Sequence, residues 1–298
     1  IITEGVSVDV AMDEDSSPTP FSLTLNATDA DSVVLTWSIS VPALHGTAGA
    51  SGNGLSKAIT YSPTPNYNGS DSFTVQVSDG ALWDSITVNV NITPIADTLY
   101  VDKTVTCDDS GPGSLALPLC TIDRGEFLAR AGDTVHVLHG TYAETVWVDT
   151  YSGVAGYPIT YFADPGVVVT GNGSPTTGAA FIISLRSYIV VEGFTITGTA
   201  YSGIYAVNSD HITIKNNDIS DSGQHVFGEH QHAIRFKTVI DSLIDNNLTY
   251  DNSCIGIRLT HASNNNVVSN NTSYGNYSAV APGEPTDAAG IELDDSDN

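Results

Sequence analysis

Basic residues are scarce in this sequence. Nine Lys and Arg stand against thirty-four Asp and Glu in 298 residues, a formal charge of −25. A surface of that sign repels nucleic acid and anionic lipid and attracts divalent cations, so no nucleic-acid partner is expected. Long apolar runs are also missing. Nothing approaches the roughly 20 consecutive apolar residues that span a bilayer, and direct membrane insertion is not expected. Helical periodicity is lacking over the first ninety or so residues, which excludes a helical bundle there.

Cysteine is limited to three residues. Cys107 and Cys120 bracket a loop rich in Asp, Gly and Pro, a spacing that suits one disulfide worth roughly 3 kcal/mol through restriction of the unfolded chain. Cys254 is left over in an apolar setting and reads as a buried thiol. A disulfide implies an oxidising compartment, hence an extracellular or cell-surface location.

Short alternating segments fill the first module: 21–26, 33–39, 58–61, 72–77 and 85–92. Phe73, Val75 and Val77 share one side, as do Ile86, Val88, Val90 and Ile92, because side chains alternate faces along a strand. Prolines and the pairs Asn68-Gly69 and Asp79-Gly80 punctuate them, the pattern of an antiparallel sandwich. Acids gather between the strands, among them Glu14, Asp29, Asp31 and Asp79. Calcium takes six to eight hard oxygen ligands, and paired acids such as Asp29 and Asp31 repel without a cation between them.

Three motifs in order, Ala27-Thr28-Asp29-Ala30-Asp31, Tyr61 to Phe73, and Val77-Ser78-Asp79-Gly80, resemble the bacterial cadherin-like repeats of secreted and surface proteins. The resemblance implies Ca2+ as the bound ion, with Glu14, Asp29, Asp31 and Asp79 as its ligands, and a role in spacing or adhesion. The expected boundary places this β-sandwich at 1–96.

Residues 121–130 form the one amphipathic helical stretch and are expected to cap the open end of the next module. Beyond it a repeat can be counted. Ala180, Gly203, Ala233 and Gly256 begin equivalent segments, with a further start at Gly290, at spacings of 23, 30, 23 and 34 residues. That is the period of a solenoid whose coils stack parallel strands around one core. Asn217, Asn247 and Asn271 fall at one corner, with Phe194 in the same place a coil earlier, and read as structural. Together with Thr134 to Leu138 and Tyr157 to Phe162, this resembles the secreted right-handed parallel β-helix proteins, a family that includes polysaccharide lyases and uronan epimerases. The fold class is therefore all-β, a sandwich followed by a right-handed parallel β-helix over 97–298, its last coil interrupted at Asn298.

The register also sorts the solenoid's side chains. Ile204, Ile234, Ile257 and Ile291 point inward, and Tyr205, Arg235, Arg258 and Glu292 outward, with Lys237 on the same face as Arg235. A longer spacing inserts His225, His230 and His232 just before Arg235. Their spacing matches no standard zinc pattern. Tyr205, His232, Arg235, Lys237 and Arg258 read instead as an anion or sugar subsite. Tyr201, Tyr250, Tyr274 and Tyr277 add aromatic rings for a glycan or protein face.

Two functions are compatible with these features. The first is an extracellular structural or adhesive protein of a surface layer, filament or adhesin, binding cell-surface glycan and assembling with other copies of itself. The alternative is a calcium-assisted lyase or epimerase of an acidic polysaccharide, with Lys237 or His232 as base and Arg235 and Arg258 holding the carboxylate. The tyrosine-glycine-aspartate-proline-histidine arrangement that the resemblance to epimerases would imply is not found.

Overall fold

In the computed structural model, which describes residues 1–31, 34–223, 232–277 and 289–294, the chain divides into two units, Ile1–Ile95 and Ala96–Asn298. The first is a sandwich. One sheet holds Ser7–Asp13, Trp83–Thr93, Gly69–Ser78, Thr36–Val41 and Gly52–Asn53 in that spatial order. The other pairs Leu23–Asn26, Ser56–Pro63 and Gly46–Gly49. Alternation puts Phe73, Val75, Val77, Ile86, Val88 and Val90 inside, with Trp37 beside them in the same sheet and Leu25, Ile59 and Tyr61 contributed by the other. Ser7–Asp13 runs parallel to Trp83–Thr93 and was not among the expected strands, although Val8, Val10 and Met12 alternate correctly for one.

The second unit is a parallel solenoid of three faces. The first face stacks Val146–Val148, Phe181–Ser184, the start of Ile204–Lys215, His232–Ile240, Ile255–Thr260 and Ala289–Asp294. The second begins at Thr98–Asp102 and runs through Thr134–His139, Ile159–Ala163, Ser187–Glu192 and the end of Ile204–Lys215 to Leu243–Asp245 and Val267–Ser269. The third runs from Thr141–Tyr142 to Thr272–Tyr274. Ile204 pairs with Ile234, and Ile234 with Ile257, as the repeat predicts. Inside, Tyr161, Phe181 and Phe194 meet edge to face at 5.8 and 4.9 Å amid a continuous core of Val and Ile.

Helix Ile122–Leu128 lies where the capping element was expected. Its orphan N-terminal amides are met twice over. Thr121 accepts from Arg124 N, and the Glu144 carboxylate accepts from Ile122 N and Asp123 N at 3.2 and 3.1 Å. Gly125 lets the helix close on the sheet, since a Cβ there would stand 2.6 Å from Val135 Cγ1. The Cys107–Cys120 disulfide closes the loop before it, and Asp109 accepts from Cys120 N at 2.7 Å.

Corners are built from left-handed residues and ladders of side-chain amides. Asn216, Asn246 and Asn270 share φ between 53° and 59°, a conformation Asn tolerates better than most residues. Beside them Asn247 Oδ1 accepts from Asn217 N and Nδ2, while Asn247 Nδ2 donates to Ile214 O and to Asn271 Oδ1. Asn217 in turn accepts from Phe194 N, so the coil without Asn is still served by its neighbour. A second ladder, unanticipated, joins Ser222 N, Asn252 and Asn276 at the next corner.

Asn247 is 2 % exposed. Its replacement by Ala strands the Asn217 amide and the Ile214 carbonyl in the interior. A destabilisation of about 3 kcal/mol is expected, read by thermal unfolding as a lowered transition of the solenoid with that of residues 1–95 unmoved.

Candidate functional site

Two groups of the expected residues come together. In the first unit the carboxylates of Asp29, Asp31 and Asp79 bring oxygens within 4.8 Å of one another, a group that could hold a metal ion. Asp29 Oδ1 accepts from Asp31 N at 3.1 Å, and Asp79 Oδ1 accepts from Ala81 N and Leu82 N, both at 2.7 Å. The hydrogen bond and the charge of Asp29 raise the Asp31 carboxyl above the usual aspartate range. Backbone N–H groups of Leu82 and Ala81 hold Asp79 below it.

Glu14 does not join them, which corrects the expected ligand set. It lies buried beside Asn68 and Ile95, its Oε1 accepting from Ile95 N at 2.7 Å. Asn68 precedes strand Gly69–Ser78 and Asp79 follows it. A ten-residue strand separates its two ends by roughly 30 Å, so Glu14 and Asp79 cannot share an ion. Glu14 pins the chain at the far end of the sandwich instead.

In the second unit the outward ladder of the first face reads Trp147, Ile182, Tyr205, Arg235, Arg258, Glu292, one residue per coil. Neighbouring strands lie about 4.8 Å apart, so these side chains form a continuous track. The Arg235 guanidinium carbon stands 5.6 Å from the centre of the Tyr205 ring. Tyr201 meets Tyr205 edge-on at 5.8 Å and packs with Ile182 and Ala179. Burial pushes the Tyr201 hydroxyl up to about 12, and it raises that of Tyr205, so both are neutral donors near pH 7.

Outward does not mean open here. Arg235 is 1 % exposed and His232 is fully buried, against the expectation that both line an accessible subsite. Ile182 also points outward yet is 5 % exposed, because Ala179 and Tyr201 pack onto it. His232, the first residue of strand His232–Ile240, is fully buried and out of reach of a substrate proton. Arg258 is engaged too: Nη2 donates to Asp294 at 3.0 Å, and Nε lies 3.1 Å from Glu292 Oε1, at ion-pair distance without hydrogen-bond alignment. Lys237, between Val207 and Thr260 on the adjoining outward column, is partly exposed and makes no ion pair among the described residues.

His225 and His230 lie outside the described residues. The expected tyrosine face is divided: Tyr201 and Tyr205 sit on the first face, while Tyr250 and Tyr274 stack at 5.4 Å on the third. Trp147 was missed because the counted repeat began at Ala180, although Val146-Trp147-Val148 is in phase with Phe181-Ile182-Ile183, and Ile182, inside the repeat, was left out of the outward column.

Comparison with known proteins bears on both units. Residues 3–93 match the family model of the bacterial Ig domain, and residues 159–298 that of the right-handed β-helix region. The chain joins a bacterial Ig domain to a right-handed β-helix. The uncharacterized protein YwoF of Bacillus subtilis (strain 168) is 33 % identical over 138 residues, 41 % of this chain and 28 % of its own length. Among solved structures, a rhamnogalacturonan lyase aligns at 16 % identity and TM-score 0.46 over 67 % of this chain and 62 % of its own. Pectate lyase Pel9A aligns at 17 % and 0.48 over 65 % and 57 %. The chain thus spans less than two thirds of each of these relatives.

The acidic group generates a pH-dependent expectation. Without a cation the folded state holds the Asp31 proton more tightly than the unfolded chain, so Asp31 lowers stability as pH rises above the ordinary aspartate value, about 3.9. A divalent cation reverses that sign. Added cation should raise the unfolding temperature of residues 1–95 at neutral pH, with the increment fading as acidification protonates Asp31. Asp31→Asn should lose most of the increment, and Glu14→Gln should keep it.

Proposed function

We propose that this is an extracellular, calcium-stabilised protein that acts on an acidic polysaccharide at the outer face of the first sheet, by β-elimination. The observation that carries the reading is Lys237, partly exposed on a column adjoining Tyr205, Arg235 and Arg258, in a chain with nine bases altogether. Three of those nine on consecutive coils of one face are a concentration the solenoid itself does not require. The Cys107–Cys120 disulfide supports an oxidising location. No helix among the described residues is long and apolar enough to cross a membrane.

In the proposed step Lys237 Nζ takes the C5 proton of a uronate residue. The C5–H electron pair forms the C4=C5 double bond, the C4–O bond breaks, and the leaving oxygen is protonated by water. Charge builds on the uronate carboxylate as the proton leaves, and a cation beside it lowers the barrier. Arg258 serves there by exchanging its carboxylate partners Glu292 and Asp294 for that of the substrate. Arg235, buried against Tyr205, orients the ring and adds positive potential without touching solvent. The overall charge of −25 opposes a polyanion, and calcium bridging the two is how the reading meets that. Calcium is also the ion proposed for Asp29, Asp31 and Asp79, with backbone carbonyls and water completing six to eight oxygens.

A second reading keeps the same face as a binding surface in an adhesive or layer-forming protein that assembles with other copies. It draws on the engagement of Arg258 by two acids and the burial of His232, which leave Lys237 as the exposed base.

Incubation with polygalacturonate and with alginate, with calcium or chelator, separates the two through the ultraviolet absorbance of unsaturated sugar ends. Turnover that falls by about 10²-fold or more in Lys237→Ala, with an unchanged melting temperature, is the expected result. Glycan retention with no turnover by the unaltered protein would transfer the assignment to the adhesive reading.

A further inference from the structure

The outer face of the second sheet carries a groove that the first-face chemistry does not use. Its cavity, of about 640 Å3, is lined by Tyr188, Val190, His211, Thr213, Asp241 and Leu243. Val190, Thr213, Leu243 and Val267 occupy one outward column on four consecutive coils and form its floor, roughly 14 Å long at the inter-strand spacing. On one side rise the corner residues, where Tyr188 and His211 stack at 4.3 Å. The His211 ring is fixed by Asp210 at 2.6 Å, which itself accepts from Ser187 Oγ at 2.7 Å. On the other side the polar column is already satisfied. Lys215 pairs with Glu192 at 2.9 Å, and Asp245 accepts from Ser269 and Asn270 at 2.7 and 2.8 Å.

Three features choose the occupant. The floor is apolar and narrow, and runs along the solenoid axis, which suits the flat carbon face of a linear chain rather than a globular surface. Ser187–Glu192, Ile204–Lys215 and Leu243–Asp245 are hydrogen-bonded to a neighbour on both sides, and the floor runs across the strands, so an extended peptide lying along it finds no main-chain partners, whereas strand addition needs a free edge parallel to the peptide. Groups that can hydrogen-bond an occupant are side chains: the Tyr188 hydroxyl, the second His211 nitrogen and Asp241 on the rim, and Thr213 on the otherwise apolar floor. That is the donor and acceptor set for hydroxyls. Charge completes the choice. The charged or titratable groups lining the groove are Asp241 and His211, with Asp210 against His211, and the neighbouring polar column holds the Glu192–Lys215 pair and Asp245, so negative charge prevails and a uronate chain is repelled.

We propose that this groove binds an uncharged polysaccharide chain, a second glycan site on a different face from that assigned to the acidic substrate. One face would then hold the molecule to a neutral matrix while the other addresses an acidic component.

The test uses the full chain and titrates xylohexaose, cellohexaose and chitohexaose by calorimetry, with polygalacturonate oligomers as the charged comparison. At least one neutral hexamer is expected to bind with Kd near or below about 1 mM. Thr213→Arg, which fills the floor, and His211→Ala, which removes part of the exposed wall, should each weaken it at least about tenfold. Lys237→Ala should bind the neutral hexamer as the unaltered protein does, and Thr213→Arg should leave any polyuronate turnover unchanged. Failure of all three neutral hexamers to bind overturns the proposal, as does neutral binding that survives both groove substitutions or is lost in Lys237→Ala. Absence of polyuronate turnover bears on the first face alone.

Discussion

Everything in the solenoid depends on each coil being hydrogen-bonded to the next at a fixed axial step. A strand in this unit has no value alone: it is two to twelve residues long and its inward side chains close a core only when a neighbour continues it. The same step dictates the corners. Where the chain turns, backbone amides can be reached only by something one coil away, and Asn is long enough to bridge that distance while also tolerating the left-handed backbone found there. The amide ladders at Asn217, Asn247 and Asn271 and at Asn252 and Asn276 are thus two answers to one requirement. The capping helix answers it where no earlier coil exists, by supplying a packed surface whose own exposed amides are met by Glu144.

That dependence explains why so much of the solenoid was legible in the sequence. A strict axial register makes inward and outward columns a matter of counting, so the pairing of Tyr205 with Arg235 and of Arg235 with Arg258 comes from aligning four segments. The sandwich core was legible for a simpler reason, the two-residue alternation of Phe73 to Val77 and Ile86 to Ile92. Distances across the sandwich were not. Glu14 and Asp79 belong to opposite ends of one strand, and nothing in the spacing of acids along the chain reports which loops share an end.

Exposure was the harder quantity. Register says that Arg235 faces away from the core, but it does not report what covers that side, and Arg235 and His232 are both buried. The acids that engage Arg258, Glu292 and Asp294, lie on the next strand and are themselves in register. The second ladder was within reach as well, since Asn252 and Asn276 come after Asn247 and Asn271 at the same distance.

The outward track has a consequence for how variation in this molecule is read. Residues paired across the first face are separated by 23 to 35 positions in the chain, whereas sequence neighbours such as Arg235 and Phe236 point to opposite sides of the sheet. Energetic coupling therefore runs along the axis. Tyr205, Arg235 and Arg258 form one thermodynamic unit, and double-mutant cycles among them will be non-additive while cycles between chain neighbours are close to independent. Change in such a fold is inherited by column, and a substitution on one coil alters what its counterparts above and below can accept.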